Sequence, residues 1–197
     1  MSGIDKFVRL AGASLALVLA FLLCTTPAFA AGAWTFTSPT ASTPNAGSGF
    51  YVTAMSSDGQ YMYASSHYQG VFRSVDYGAT WNITSGLGSQ DYAAITTSSD
   101  GQYVYVASYS GDVWSSYDYG VTWTQRTGPP QSGYKWVTLD SSANGQYVIA
   151  ATETEGVLVS NDYGVTFTAT SLPTDVYFYG ISVSADGNFM FAVQYGG

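Results

Sequence analysis

Beyond residue 30, six acids lie outside the repeated motifs of this chain: Asp91, Asp112, Asp140, Glu153, Glu155 and Asp175. Two carboxylates facing each other across a cleft are what acid/base cleavage of a glycosidic bond requires, and these six are the residues that would supply them. Solvated loop charge is the plainer reading of each. Asp140 is the least ordinary, because the aligned positions of the other repeats hold Ala54, Thr96 and Ser182. A second set is aromatic: Phe50, Tyr92, Trp136 and Phe178 each stand eight residues before a turn Asp or Asn. With Tyr134 they offer rings on which sugars can stack, while packing between sheets explains the same spacing equally well. His67 has no Cys or second His beside it after the leader, so neither a metal site nor a cofactor is implied.

Charge narrows the partners. Met1 to Arg9 is basic, Leu10 to Cys24 is apolar, and Ala28-Phe29-Ala30 is a small-x-small cleavage site, so residues 1–30 read as a secretory signal peptide. The apolar run is 15 residues long, short of the ~20 that a membrane-spanning helix needs. Removing Asp5, Lys6 and Arg9 leaves twelve acids against Arg73, Arg126 and Lys135, a formal net charge of −9. Nucleic acid is excluded as a partner, because phosphate binding needs clustered cations. The expectation is a secreted protein that does not stay in the membrane. Without cysteine after the leader, its stability must come from a packed core.

The elements that must position these residues are written in the repeats. SVDYGATW at Ser74 returns as SYDYGVTW at Ser116 and SNDYGVTF at Ser160, and a second motif, SSDGQY, SSDGQY, SANGQY and SADGNF, begins at Ser56, Ser98, Ser142 and Ser184. The glycines of the second motif, Gly59, Gly101, Gly145 and Gly187, are 42, 44 and 42 residues apart. A period in the forties with two turn signatures predicts an all-β fold, a β-propeller of four-stranded blades with about four repeat units, the last split or truncated. Within a unit, strand A runs into the Asp-Gly or Asn-Gly turn, as at Tyr92 to Thr97. Strand B follows, as at Gln102 to Ser108, then strand C, and the eight-residue box is the C-to-D hairpin. Strand D begins at its Thr and aromatic.

In the box, Asp76, Asp118 and Asp162 fold back on backbone N–H groups of their own turns, Gly78, Gly120 and Gly164 supply a positive φ, and Trp81, Trp123 and Phe167 pack between sheets. Every one of these roles is structural. A catalytic reading would need three equivalent sites, each without its own partner. The A-to-B and C-to-D turns leave one face, and the variable B-to-C and D-to-A loops, which carry the non-repeat acids, leave the other. Asn82-Ile83-Thr84 is an N-glycosylation sequon on strand D in a eukaryotic source.

The S-x-D-x-G-x-T-W pattern resembles the Asp-box, or BNR, repeat of sialidases, xyloglucan-degrading glycosidases, sortilin-like receptors and a photosystem assembly factor. The resemblance spans nearly all of residues 31–197 and implies a β-propeller in which the box faces away from the ligand. A sialidase-like site would need three arginines, and Arg73 and Arg126 are the only two after the leader. The expected function is a secreted, non-catalytic binding propeller that takes a neutral glycan or a protein through its loop face. The alternative is a glycoside hydrolase, xyloglucanase-like or sialidase-like, or a piece of one. Ala33 to Thr37 resembles a strand D, and Tyr177 to Gly197 supplies only strands A and B. The expectation is therefore a fragment of a longer propeller, with self-association through an open blade.

Overall fold

The computed structural model describes residues 50–66, 69–126, 135–153 and 155–194. The leader, the strand expected at 33–37, and His67, Tyr68, Tyr134, Thr154 and the last three residues lie outside the described residues. All described regular structure is β. One sheet runs β1 (Phe50–Met55), β2 (Met62–Ser66), β3 (Gly70–Ser74) and β4 (Asn82–Ile83). The next runs β5 (Tyr92–Thr97), β6 (Val104–Ser108), β7 (Val113–Ser116) and β8 (Thr124–Arg126). The third comprises β9 (Trp136–Ser141), β10 (Val148–Thr152), β11 (Val157–Ser160) and β12 (Thr168–Ala169), and β13 (Phe178–Val183) with β14 (Met190–Gln194) forms a two-stranded sheet. Each sheet is an antiparallel meander, and the first strands of consecutive sheets pack side by side. Strand D starts one residue after the box aromatic rather than on it, because the aromatic is held by the turn and the core: Trp81 donates to Gly78 O, Trp123 packs against the core and Phe167 is buried.

The core lies in seams between blades. In β6 both faces are buried: Tyr105 packs with Trp136, Leu139 and Val148 of the third blade, while Val104 and Val106 pack with Tyr63, Val71 and Ile95. The apolar alternation of strand B is therefore not an inside and an outside but two interiors. Burying each such side chain contributes roughly 1.5–3 kcal/mol. The outermost strands, β4, β8 and β12, are two or three residues long and largely exposed, which leaves little edge for another chain to pair with.

The turns lock each blade to the next. Ser57 N donates to Ser99 O, Ser99 N to Ala143 O and Ala143 N to Ala185 O, at 2.7, 2.8 and 2.9 Å, so the A-to-B turns form a hydrogen-bonded row across the blades. Tyr63 and Tyr105 hydroxyls donate to Gly101 O and Gly145 O of the following blade at 3.1 and 2.7 Å. The box is self-contained. Asp118 Oδ1 accepts from Ser116 Oγ and Thr122 N at 2.8 Å each, and Oδ2 accepts from Thr122 Oγ1 at 2.6 Å. Asp76 and Asp162 repeat the pattern. The residue before each box glycine also takes a positive φ: Tyr77, Tyr119 and Tyr163 all sit at 61°. That conformation is costly for an aromatic residue. Ring contacts offset it, since Tyr119 stacks on Tyr61 at 4.6 Å and Tyr163 leans on Tyr103 at 4.9 Å.

Candidate functional site

Where the first strands of the four sheets begin, each carries one irregularity of pairing, between Phe50 and Thr53, Tyr92 and Ala94, Trp136 and Thr138, and Phe178 and Gly180. A bulge re-aims the extra residue out of the ladder. Tyr51, Ala93, Val137 and Tyr179 occupy these places, and all four line one cleft of about 440 Å³ on the loop face. Val52, Asp91, Tyr109, Trp136, Thr138 and Tyr177 complete the lining. Tyr51 and Tyr179 are each 62% exposed, so the cleft presents two large rings to solvent. Tyr177 lies 4.8 Å from Tyr179, centroid to centroid. Burial, and then the negative charge of Glu153, push the Tyr177 phenol above its ordinary value, so it remains a protonated donor at neutral pH.

At the rim, Tyr109 Oη donates to Glu153 Oε1 at 2.9 Å, Lys135 Nζ lies 3.3 Å from Glu153 Oε2, and the same ammonium sits 5.2 Å over the Tyr109 ring. Backbone bonds tie each of these loops to its neighbour, Glu153 N donating to Lys135 O and Tyr109 N to Asp91 O. Glu153 is thus committed to a cation and a phenol. Lys135, the one cation expected on the loop face, is paired with Glu153 and leaves the other loop acids without it.

The expected site residues separate. Asp91 and Trp136 reach the cleft, and Glu153 stands at its rim. Tyr92 does not reach it: the side chain is 1% exposed and its hydroxyl donates to Leu87 O. Trp136 is 3% exposed, gives its Nε1–H to Gly111 O at 3.0 Å and packs on Phe167, so it forms the floor rather than an open platform. Phe178 is buried and Phe50 sets its edge against Phe72. The aromatic that recurs eight residues before the turn is accordingly a packing position in the second to fourth repeats, while Phe50 is 40% exposed. Its bulged neighbour faces the cleft. Asp140 is a clamp, with Oδ2 accepting from Val183 N of the next blade at 2.8 Å and Oδ1 from Ser141 N. Asp112 accepts from Gln125 Nε2 on β8 at 2.8 Å, away from the cleft. Glu155 and Asp175 are exposed loop acids.

Among the described lining residues Asp91 is the one carboxylate, and no group of three or more His, Cys, Asp or Glu capable of holding a metal occurs among the described residues. What the cleft offers is flat rings, phenol hydroxyls and backbone, with a single acid. The tyrosines Tyr51, Tyr109, Tyr177 and Tyr179 escaped the sequence reading because they are out of step with the repeated aromatic. The available signal was Tyr51 and Tyr179 directly following it in the first and fourth repeats.

No protein-family model matches the sequence, and no curated protein matches it. Solved structures do. An ancestral GH74 enzyme superposes with a TM-score of 0.61 at 16% identity, covering 74% of this chain and 22% of its own. The GH74 xyloglucanase from Xanthomonas campestris gives 0.55 at 16% identity over 74% of this chain and 27% of its own. Hydrazine synthase from Kuenenia stuttgartiensis gives 0.58 at 16% identity, over 71% of this chain and 40% of the other. The fold is a β-propeller. The propeller spans about a quarter of the length of the GH74 chains and two fifths of the hydrazine synthase chain. Identities this low carry the fold alone, and neighbours as unlike as a glycosidase and a hydrazine synthase share it.

Proposed function

We propose that this chain is a secreted binding propeller that takes a neutral glycan in the tyrosine-lined cleft of its loop face, without cleaving it. The observation that carries this reading is the set of bulges that turns Tyr51 and Tyr179 into a cleft of about 440 Å³ also lined by Tyr109 and Tyr177. A sugar ring presents C–H groups that pack on an aromatic face and hydroxyls that pair with phenols and backbone. Asp91 is the one carboxylate among the described lining residues, and Glu153 at the rim is bonded to Tyr109 and Lys135, which supports binding over the paired-carboxylate chemistry of glycoside hydrolysis. The remaining acids favour neutral over sulfated or sialylated sugars.

Xyloglucan oligosaccharides are the suitable neutral probe, titrated by calorimetry against the protein and its Tyr51→Ala and Tyr179→Ala variants. Each truncation is expected to weaken binding about five- to tenfold, the loss of one stacked ring. Equal affinity in all three proteins removes the cleft from consideration. Release of reducing ends from the same oligosaccharides establishes the hydrolase instead, and preferential binding of sialylated or sulfated glycans that Tyr51→Ala or Tyr179→Ala weakens contradicts the charge argument.

A further inference from the structure

On the outer side of the seam between the first and second blades lies a groove of about 190 Å³, remote from the loop-face cleft and lined by Arg73, Val75, Asn82, Ile83, Thr84, Ser85, Gly120 and Val121. Its one charge is the Arg73 guanidinium. The guanidinium meets the Tyr63 phenol, but among the described residues no carboxylate lies within ion-pair distance of it, and Arg73 Nε is buried without an acceptor. A buried guanidinium N–H without a partner is rare, because arginine is the side chain built to meet a planar acid with paired donors. Trp123 Nε1 is also buried without an acceptor, whereas its counterpart Trp81 Nε1 donates to Gly78 O at 3.1 Å. Both side chains border Gly120, which lines the groove: a Cβ built there would lie 3.4 Å from Arg73 Cδ and 3.5 Å from Trp123 Cζ2.

The seam between the second and third blades supplies the comparison. There Tyr117 stands where Val75 stands in the first box, and it closes the space, its hydroxyl donating to Tyr163 O at 2.8 Å. The cation comes from Arg126, which sits 4.9 Å over the Tyr117 ring and donates Nε–H to Ser115 Oγ at 2.6 Å. Ser115 is the position of Arg73. So one seam has a guanidinium under a tyrosine ring with its Nε–H bonded, and the other has a guanidinium beside an open groove with its Nε–H unbonded. Valine in place of tyrosine is the difference that opens it.

We infer that the Arg73 groove is a second ligand site, for a carboxylate carried on a sugar, a uronic acid. The guanidinium meets the carboxylate through paired, charge-assisted hydrogen bonds. Asn82 and Ser85, both exposed at the rim, supply amide and hydroxyl groups to the neighbouring sugar hydroxyls. The volume suits a single hexuronate rather than a chain.

The test uses the protein made in bacteria, so that the Asn82 sequon carries no sugar, with sodium glucuronate, glucose, acetate and sulfate titrated separately at low salt. Binding is read from the indole N–H resonances, where a packing role alone would leave Trp123 unmoved. Glucuronate is expected to shift the Trp123 resonance saturably, acetate more weakly and glucose not at all. Arg73→Met should weaken glucuronate at least about tenfold, the effect of losing a charge-assisted pair. Val75→Tyr, which keeps Arg73 and copies the closed seam, should abolish binding without unfolding the protein. Undiminished glucuronate binding in Val75→Tyr, sulfate binding as tight as glucuronate, or no shift in the parent protein overturns the inference.

Discussion

Replacing Gly145 by alanine tests whether the repeated turn glycine is kept for its own conformation or for the neighbouring blade. Gly59 and Gly145 occupy the same turn of two repeats, with φ of 76° and 75°. Either alanine variant accepts a left-handed residue, at about 1–2 kcal/mol. Their surroundings differ. At Gly59 the added carbon meets nothing among the described residues closer than Met62 Cε at 3.9 Å, whereas at Gly145 it meets Tyr103 Cβ at 2.6 Å and Cγ at 2.8 Å. A Cβ is fixed by its own backbone and cannot swing aside, so the second blade must shift, which adds about 1–3 kcal/mol of overpacking. Gly59→Ala should therefore cost about 1–2 kcal/mol and Gly145→Ala about 2–5. In thermal unfolding the difference is roughly 2–12 °C, at about 2–4 °C per kcal/mol for a domain of this size. Melting followed by circular dichroism and confirmed by urea midpoints reads it directly. Tyr103→Ala in the Gly145→Ala background should recover part of the excess as a coupling energy. Equal losses at Gly59 and Gly145, or no coupling to Tyr103, would refute the claim that these glycines are blade contacts as well as turn residues.

Three further outcomes follow from the hydrogen bonding. Asp118→Ala should lower stability by about 1–2 kcal/mol, the loss of charged acceptors in a half-exposed turn, and leave oligosaccharide affinity unchanged; unchanged melting with lost binding would show the box to be a ligand site. Stability should fall as the pH drops below about 4. At Asp118, partial burial opposes ionisation but the Thr122 hydroxyl and amide and the Ser116 hydroxyl outweigh it, and at Asp76 the Thr80 hydroxyl and amide act first, with Ser74 adding to them. Carboxyls held below their ordinary value contribute stability that is present above the unfolded value of about 4 and lost as pH falls through the folded one. Melting temperatures that are flat from neutrality to pH 3 would contradict this. Asp140→Ala should speed hydrogen exchange at the Val183 amide, whose acceptor it removes, while the Val106 amide in β6 keeps its protection; equal rates at Val183 in parent and variant would mean that Asp140 does not clamp the fourth sheet.

The sequence by itself determined everything that rests on short-range bonds. Ser116, Asp118, Gly120 and Thr122 satisfy one another within four residues, so their spacing alone specifies the turn. Ser142 and Asn144 do the same with an amide, because the turn asks only for an acceptor oxygen, here bonded to Gln146 N at 3.0 Å. The strands between such turns, and the repeat that stacks them into blades, were legible for the same reason. What only the tertiary structure decided are the meetings across blades. Tyr109 finds Glu153 across 44 residues, and Asp140 finds Val183 across 43, so identical-looking loop acids become a rim pair in one case and a clamp in the other. The bulges that aim Tyr51 and Tyr179 into the cleft are properties of pairing, invisible in either strand alone. The open groove at Arg73 depends on one box side chain, Val75, set against the next blade, whereas Tyr117 closes its own seam. A side chain's chemistry is fixed where it is written, but its partners are fixed by which blade arrives beside it.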